Sequence, residues 1–315
     1  MCMQTILRDG LRISKLTLGT VQLGMPYGIA NRSGMPDEQA SFQILDEALS
    51  GGVVSFDTAQ AYGQSEAVLG RYLSGRRDCT VITKIVLDLE ASASASELEC
   101  KMTGQVEASL DRLKIGKIPI LMLHHASDLL KFGTKLADAC GSLVRNGYVR
   151  KIGASFGADR ELQTREIWTY AKHSVFEAVQ VPINLLDHRI KRSGLLQEMG
   201  EAGKIVFARS IFLQGLMFLK PSQMPENLKA AVSYINQLQR CADREGLSLA
   251  ELAVAFVRDM PHVHSLVIGA ETPGQAKTNI DWMQVPPIAD NTRCELEKRM
   301  ADVPELVISP QLWSK

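Results

Sequence analysis

Eight times along this chain a short aliphatic or β-branched run gives way to a longer segment with helical spacing, and that alternation limits the possible folds more than any single motif. The runs are 15–20 (KLTLGT), 53–58 (VVSFDT), 80–84 (TVITK), 118–124 (IPILMLH), 152–155 (IGAS), 178–182 (AVQVP), 205–210 (IVFARS) and 264–269 (HSLVIG). Runs that are apolar nearly throughout suit strands buried on both faces of a parallel sheet. Eight strand–helix repeats in 315 residues fit a closed (β/α)8 TIM barrel, which occupies roughly 250 residues. A doubly wound sheet would carry a G-x-G-x-x-G turn after its first strand, and no such turn follows any of these runs.

Local signals agree with that α/β reading. Residues 37–49 place Phe42, Leu45 and Leu49 on one face and stop at Gly51-Gly52, while Ser248 and Glu251 form an S-x-x-E capping box for a helix ending before Pro261. Residues 4–13 centre on Asp9-Gly10, the signature of a tight hairpin, which would close the bottom of the barrel. The low-complexity stretch 91–99 (ASASASELE) reads as a polar loop leading into a helix. With no Pro/Gly/Ser-rich linker and no break in composition, residues 1–315 are expected to form one domain.

Composition removes several classes of function. Thirty-five basic residues balance 35 acidic ones, so no net field attracts nucleic acid or an anionic membrane surface, and the expected partner is a small molecule. No apolar run approaches the ~18 residues of a membrane span, and the first residues lack the order of a signal peptide, so a cytoplasmic location is expected. Cys2, Cys79, Cys100, Cys140, Cys241 and Cys294 show no metal-ligand spacing and read as free thiols of a reducing compartment. No metal is expected, His262 and His264 merely flank a strand start, and the composition leaves the oligomeric state open.

In a barrel of this kind the reactive groups sit at the C-terminal ends of strands and in the loops that follow. The second run ends near Asp57, the third at Lys84 and the fourth at His124, with Tyr62 five residues beyond Asp57 in FDTAQAYG. These four groups suit proton donation to a carbonyl oxygen. A phenol is a weak acid at neutral pH, but an adjacent ammonium favours its ionised form. Lys84 would supply the ammonium, Asp57 its buried counter-ion, and a neutral His124 a hydrogen bond that orients the substrate oxygen. Each residue also has an ordinary structural use, as a helix cap, a packed ring or a solvated charge. His125, next along the strand, should point away from His124.

These motifs resemble the aldo-keto reductases over most of the chain, from LTLGT to ETPGQAKTNI. FDTAQAYG resembles the family's Asp/Tyr motif, VITK its lysine strand and LMLHH its histidine strand, with 22 residues from Tyr62 to Lys84 and 40 from Lys84 to His124. The resemblance implies Tyr62 as general acid, Lys84 and Asp57 as the groups that tune it, and His124 as the group that positions the carbonyl. It also implies a nicotinamide cofactor, with Gly19, Thr20, Asp57, Ser155, Gln180, Arg209, Ser210, Gly269, Glu271, Gln275 and Asn279 on its side of the site. Ser155 and Gln180 would hold the carboxamide, although Phe156 replaces the usual Asn. Arg209 stands where relatives commonly stack an aromatic ring on the nicotinamide, and a cation there is unfavourable beside the oxidised ring.

The resemblance leaves the cofactor's form open. The family usually takes NADP(H), yet the positions that hold the 2′-phosphate are Gly269 and Gln275 here, and Glu271 adds a negative charge, which favours NAD(H) or dual use. Lys277 would rescue the phosphate if it pointed inward. Met25 and Tyr27, after the first run, should border the substrate pocket with His124. Aromatic residues make up 6% of the chain, which mildly favours a small polar carbonyl compound or sugar over a bulky apolar one. Two further readings remain: a cofactor-binding regulatory subunit with little turnover, and a lyase in which Lys84 forms a Schiff base.

Overall fold

The computed structural model describes residues 3–76, 78–157 and 161–313. Cys2, one of the expected free thiols, lies outside them. The other five cysteines are unpaired thiols. Among the described residues no helix is long and apolar enough to cross a membrane.

Each of the eight runs forms a strand. After the hairpin strands β1 (Thr5–Arg8) and β2 (Leu11–Ser14) come β3 (Leu16–Gly19), β4 (Ser55–Asp57), β5 (Thr80–Ile85), β6 (Ile118–Leu123) and β7 (Val149–Ser155). The last three are β8 (Phe176–Pro182), β9 (Ile205–Arg209) and β10 (Ser265–Gly269). Strands β3 to β10 pair in sequence order and β10 returns to β3, which closes a parallel barrel. Helices join successive strands and cover the barrel, and the main apolar core lies between the two layers.

The hairpin closes the barrel at the end opposite the site. Arg8 pairs with Leu11 across Asp9 and Gly10, both at positive φ (47° and 75°), the backbone that a two-residue hairpin turn of primed type requires. Leu11 and Ile13 then pack on Ile82, Ile120, Ala178 and Phe207 in a second apolar cluster that plugs the barrel. Asp9 pairs with Lys151 at 2.7 Å and Thr80 Oγ1 donates to the Arg12 carbonyl at 2.7 Å, tying the hairpin to β7 and β5 near their starts.

The helix signals hold with small shifts. One helix spans Glu38–Ser50, with the Asp37 side chain accepting from the Ala40 N–H. The capping box at Ser248 and Glu251 opens the helix Leu249–Arg258. The stretch read as a loop over 91–99 is already helical from Ala95, because Ser94 and Glu97 make a second capping box.

Candidate active site

Strand register brings the four chemical groups together. Asp57 ends β4 opposite Ile82 of β5, two residues before Lys84, so both side chains turn into the barrel near its C-terminal mouth. Lys84 Nζ donates to Asp57 Oδ2 at 2.7 Å, to the Thr58 carbonyl at 2.9 Å and to the Tyr62 hydroxyl at 3.4 Å. Burial by itself pushes the Lys84 ammonium down. The Asp57 carboxylate and Tyr62 more than offset it, so its pKa lies above the ordinary lysine value. Lys84 is therefore a fixed cation behind the Tyr62 ring, 4.8 Å from the ring centroid.

His124 meets the same ring edge-on, with centroids 5.8 Å apart. Its pKa is pushed down to about 3, first by burial and then by the charges of Lys84, His125 and Arg209. The imidazole is accordingly neutral between pH 5 and 8, and its buried Nδ1 has no hydrogen-bond partner. His125 departs from the expected alternation. The strand ends at Leu123, so the two imidazoles are loop residues with centroids 4.9 Å apart, and both line one cavity.

Tyr62 is placed by backbone packing. Gly24, after β3, lies so close that a Cβ there would sit 1.9 Å from the Tyr62 carbonyl oxygen and 2.4 Å from the Ser65 nitrogen. No side chain can yield in that contact. Gly24→Ala is expected to cost about 1–3 kcal/mol and to lower kcat by displacing the Tyr62 loop. Thermal melting and turnover measured together check this, and no change in either would show that the loop adapts freely.

The cavity, of about 720 Å³, runs across the barrel mouth from Tyr62 and His124 to Gln275 and Trp282. Gly19, Thr20, Tyr27, Asp57, Ser155 and Gln180 line it, as do Arg209, Ser210, Gly269, Glu271 and Asn279. Thr20 is engaged with the scaffold, donating to the Asp57 carbonyl at 2.9 Å and lying 2.7 Å from the Ser65 hydroxyl. Gln180 bridges two site residues. Its Nε2 donates to Asp57 Oδ1 at 2.7 Å and its Oε1 accepts from the Ser155 hydroxyl at 3.3 Å. Phe156 is fully buried, and only its carbonyl reaches the site, where it accepts from Arg209.

Two expectations are corrected, and the condition set on Lys277 is not met. Met25 does not line the cavity, because the 3-10 turn Val21–Leu23 carries it toward Gly63 and solvent. Lys277 also stays outside, 65% exposed at its side chain and 3.7 Å from Asp281 on its own helix. Low aromatic content did not mean a cavity poor in rings: Phe212, Phe218 and Trp282 stand together at one end, with Phe212 centroids 5.0 Å from Phe218 and 5.3 Å from Trp282. Trp282 lies 64 residues beyond Phe218, too far in sequence for spacing to reveal the cluster. Gln22 was also missed. Its amide occupies the place that a side chain at Gly269 would take, since a Cβ there would be 2.3 Å from Gln22 Oε1.

A closed parallel barrel with a long cavity over a phenol, an ammonium, a carboxylate and an imidazole is the build of a barrel oxidoreductase. The chain belongs to the aldo/keto reductase family, whose model matches residues 15–297. It is 27% identical to the aldo-keto reductase YhdN of Bacillus subtilis over 293 residues, covering 86% of this chain and 85% of that one. It is 26% identical to the NADH-specific methylglyoxal reductase of Escherichia coli, covering 87% of this chain and 91% of that one. The holo form of an aldo-keto reductase from Bacillus halodurans superposes over 98% of this chain and 100% of its own with a TM-score of 0.76, a likeness of fold at 24% identity.

Members of this family bind NAD(P)H, and the residues present fit such a group. The cavity is long, Gly19 and Gly269 line it, and Gln22 Oε1 and His124 Nδ1 are buried without partners. At the far end the Thr272 side chain accepts from the Gln275 N–H and caps the helix Pro273–Trp282, whose N-terminus favours a negative ligand.

Proposed function

We propose that this chain is a one-domain cytoplasmic reductase that converts an aldehyde or ketone to the alcohol, with Tyr62 as the proton donor. The observation that carries this reading is the Lys84 ammonium, fixed by Asp57 at 2.7 Å and facing the Tyr62 hydroxyl at 3.4 Å. The reduced nicotinamide, when bound, supplies the hydride. Tyr62 gives its proton to the substrate oxygen, and Lys84 faces the phenol oxygen that is left negative. His124, neutral, donates a hydrogen bond to the same substrate oxygen and fixes its direction. Ser155 and Gln180 would hold the carboxamide, and the Gln180 bond to Asp57 would tie that contact to the proton-donating group.

For the cofactor, we favour NADH. Among the described residues that line the cavity, Arg209 is the one permanent cation. A 2′-phosphate would meet Gln275 and the Glu271 carboxyl, whose pKa burial raises, while Lys277 is turned away. Removing the charge-assisted bonds that a phosphate needs is worth about tenfold or more in affinity. NADH is therefore expected to bind at least about tenfold more tightly than NADPH. Fluorescence titration with each cofactor checks this, and tighter NADPH would reverse the preference. Oxidation of NADH by a panel of small aldehydes, ketoses and aldoses tests the activity itself. Tight cofactor binding without turnover on any of them would favour a regulatory subunit.

A further inference from the structure

The cavity holds a cation that the proton-donating machinery does not use. Arg209, at the end of β9 and half-buried, donates to the Ser210 hydroxyl at 2.9 Å and to the Phe156 carbonyl at 2.8 Å. Both acceptors are neutral, and among the described residues no carboxylate lies within ion-pair distance of it. The acidic residues lining the cavity do not answer this charge. Asp57 is bound to Lys84 and Gln180, and Glu271 belongs to the loop after β10, beside Gln275. A guanidinium taken out of water without a counter-ion is costly, and a protein that keeps one in a cavity wall gains an anion site.

Arg209 lines the same cavity as Tyr62, His124 and Tyr27, and two further observations bear on its role. The Arg209 charge helps to push His124 down and opposes the burial that raises Tyr27, so it lies in the field of both rings. The segment that positions it is strained, with Ser210, Leu213 and Gln214 at φ of 61°, 50° and 54°. Non-glycine residues in the left-handed region persist where the surroundings impose them, commonly at functional sites. Here the strained Ser210 carries the hydroxyl that holds the guanidinium.

We propose that Arg209 recognises an anionic group, a carboxylate or a phosphate, on the carbonyl substrate, so that the natural substrate is an oxo acid or a phosphorylated aldehyde or ketone. The inference rests on the reductase reading and narrows its substrate class. It is compatible with Arg209 facing a nicotinamide, because a guanidinium offers its flat face to a ring and its edge to oxygen acceptors. Two donors of the fork are committed to Ser210 and Phe156, and the rest can meet an oxyanion. His125, exposed at the same mouth, offers a further ring nitrogen.

Matched substrate pairs test this: butanal against 4-oxobutanoate, and glyceraldehyde against glyceraldehyde 3-phosphate. The wild-type protein is expected to prefer the anionic member of at least one pair in kcat/KM by about 30-fold, and which pair does so separates carboxylate from phosphate. In Arg209→Gln that anionic-to-neutral ratio should fall by about tenfold or more, and Arg209→Lys should retain part of it. Calorimetric titration of the cofactor-saturated protein with 4-hydroxybutanoate and with glycerol 3-phosphate, against butan-1-ol and glycerol, reads the same preference without turnover. Equal use of both members of each pair by the wild type, or a ratio unchanged in Arg209→Gln, overturns the proposal. So does a weakened cofactor Kd as the sole effect of that variant, which would assign the cation to the dinucleotide. If no carbonyl compound is turned over, the reductase reading fails, and the titration still decides whether Arg209 holds an anion.

Discussion

Replacing Tyr62 by Phe is expected to lower kcat for carbonyl reduction by about a thousandfold while changing the cofactor dissociation constant by less than about twofold. The variant removes one oxygen and leaves the ring. The ring keeps its edge contact with His124 at 5.8 Å and its place before Lys84, 4.8 Å from the centroid, so the shape of the cavity should survive. What disappears is the hydroxyl 3.4 Å from Lys84 Nζ, the group able to give a proton to an alkoxide forming beside His124. His124 cannot take over that task near neutrality, because its pKa of about 3 leaves no proton on the second ring nitrogen to donate as an acid. Stopped-flow measurement of NADH oxidation, with a fluorescence titration of NADH alone, separates the two effects. Turnover that survives the substitution would remove Tyr62 from the chemistry, whereas loss of cofactor binding would mean that the hydroxyl belongs to the binding surface.

The strands and the gathering of Asp57, Tyr62, Lys84 and His124 were legible because both follow from local rules. A strand buried on both faces must be apolar over several residues, and the polar residue that ends it must face the barrel mouth. Asp57 and Lys84 meet because neighbouring parallel strands set the register of their ends. Other features depend on how loops travel after the strands, which periodicity does not encode. His125 follows His124 into the cavity because the strand has already ended, and Met25 leaves it because a 3-10 turn intervenes. Lys277 faces outward because its helix axis, and not its distance from Gly269, sets its direction. The ring cluster of Phe212, Phe218 and Trp282 joins a loop after β9 to a helix after β10. Arg209 was visible as an unusual residue at a strand end. That it has no acidic partner among the described residues could be learned only from three-dimensional neighbours.

Replacing Lys84 by Met is expected to reduce kcat by about a hundredfold or more, and the difficulty lies in showing that chemistry rather than folding is lost. Lys84 and Asp57 are almost fully buried, with 1% and 5% of their side chains exposed. Deleting one partner of a buried pair leaves an uncompensated charge and costs about 3–5 kcal/mol. The single variant should therefore melt roughly 5–15 °C lower, and its inactivity alone would prove little. Combining Lys84→Met with Asp57→Asn removes both charges and preserves the acceptor for Gln180 Nε2, which now donates to Asp57 Oδ1 at 2.7 Å. Most of the lost Tm should return in this double variant, since replacing a buried ion pair by neutral groups is often nearly neutral in stability. Its kcat should remain low, because the phenol oxygen still lacks the ammonium that faces it at 3.4 Å. Recovery of both Tm and kcat would make Lys84 a structural counter-ion of Asp57 and leave Tyr62 to donate its proton unaided. Recovery of Tm alone would separate the pair's two duties, assigning stability to mutual neutralisation and catalysis to the one cation beside the hydroxyl.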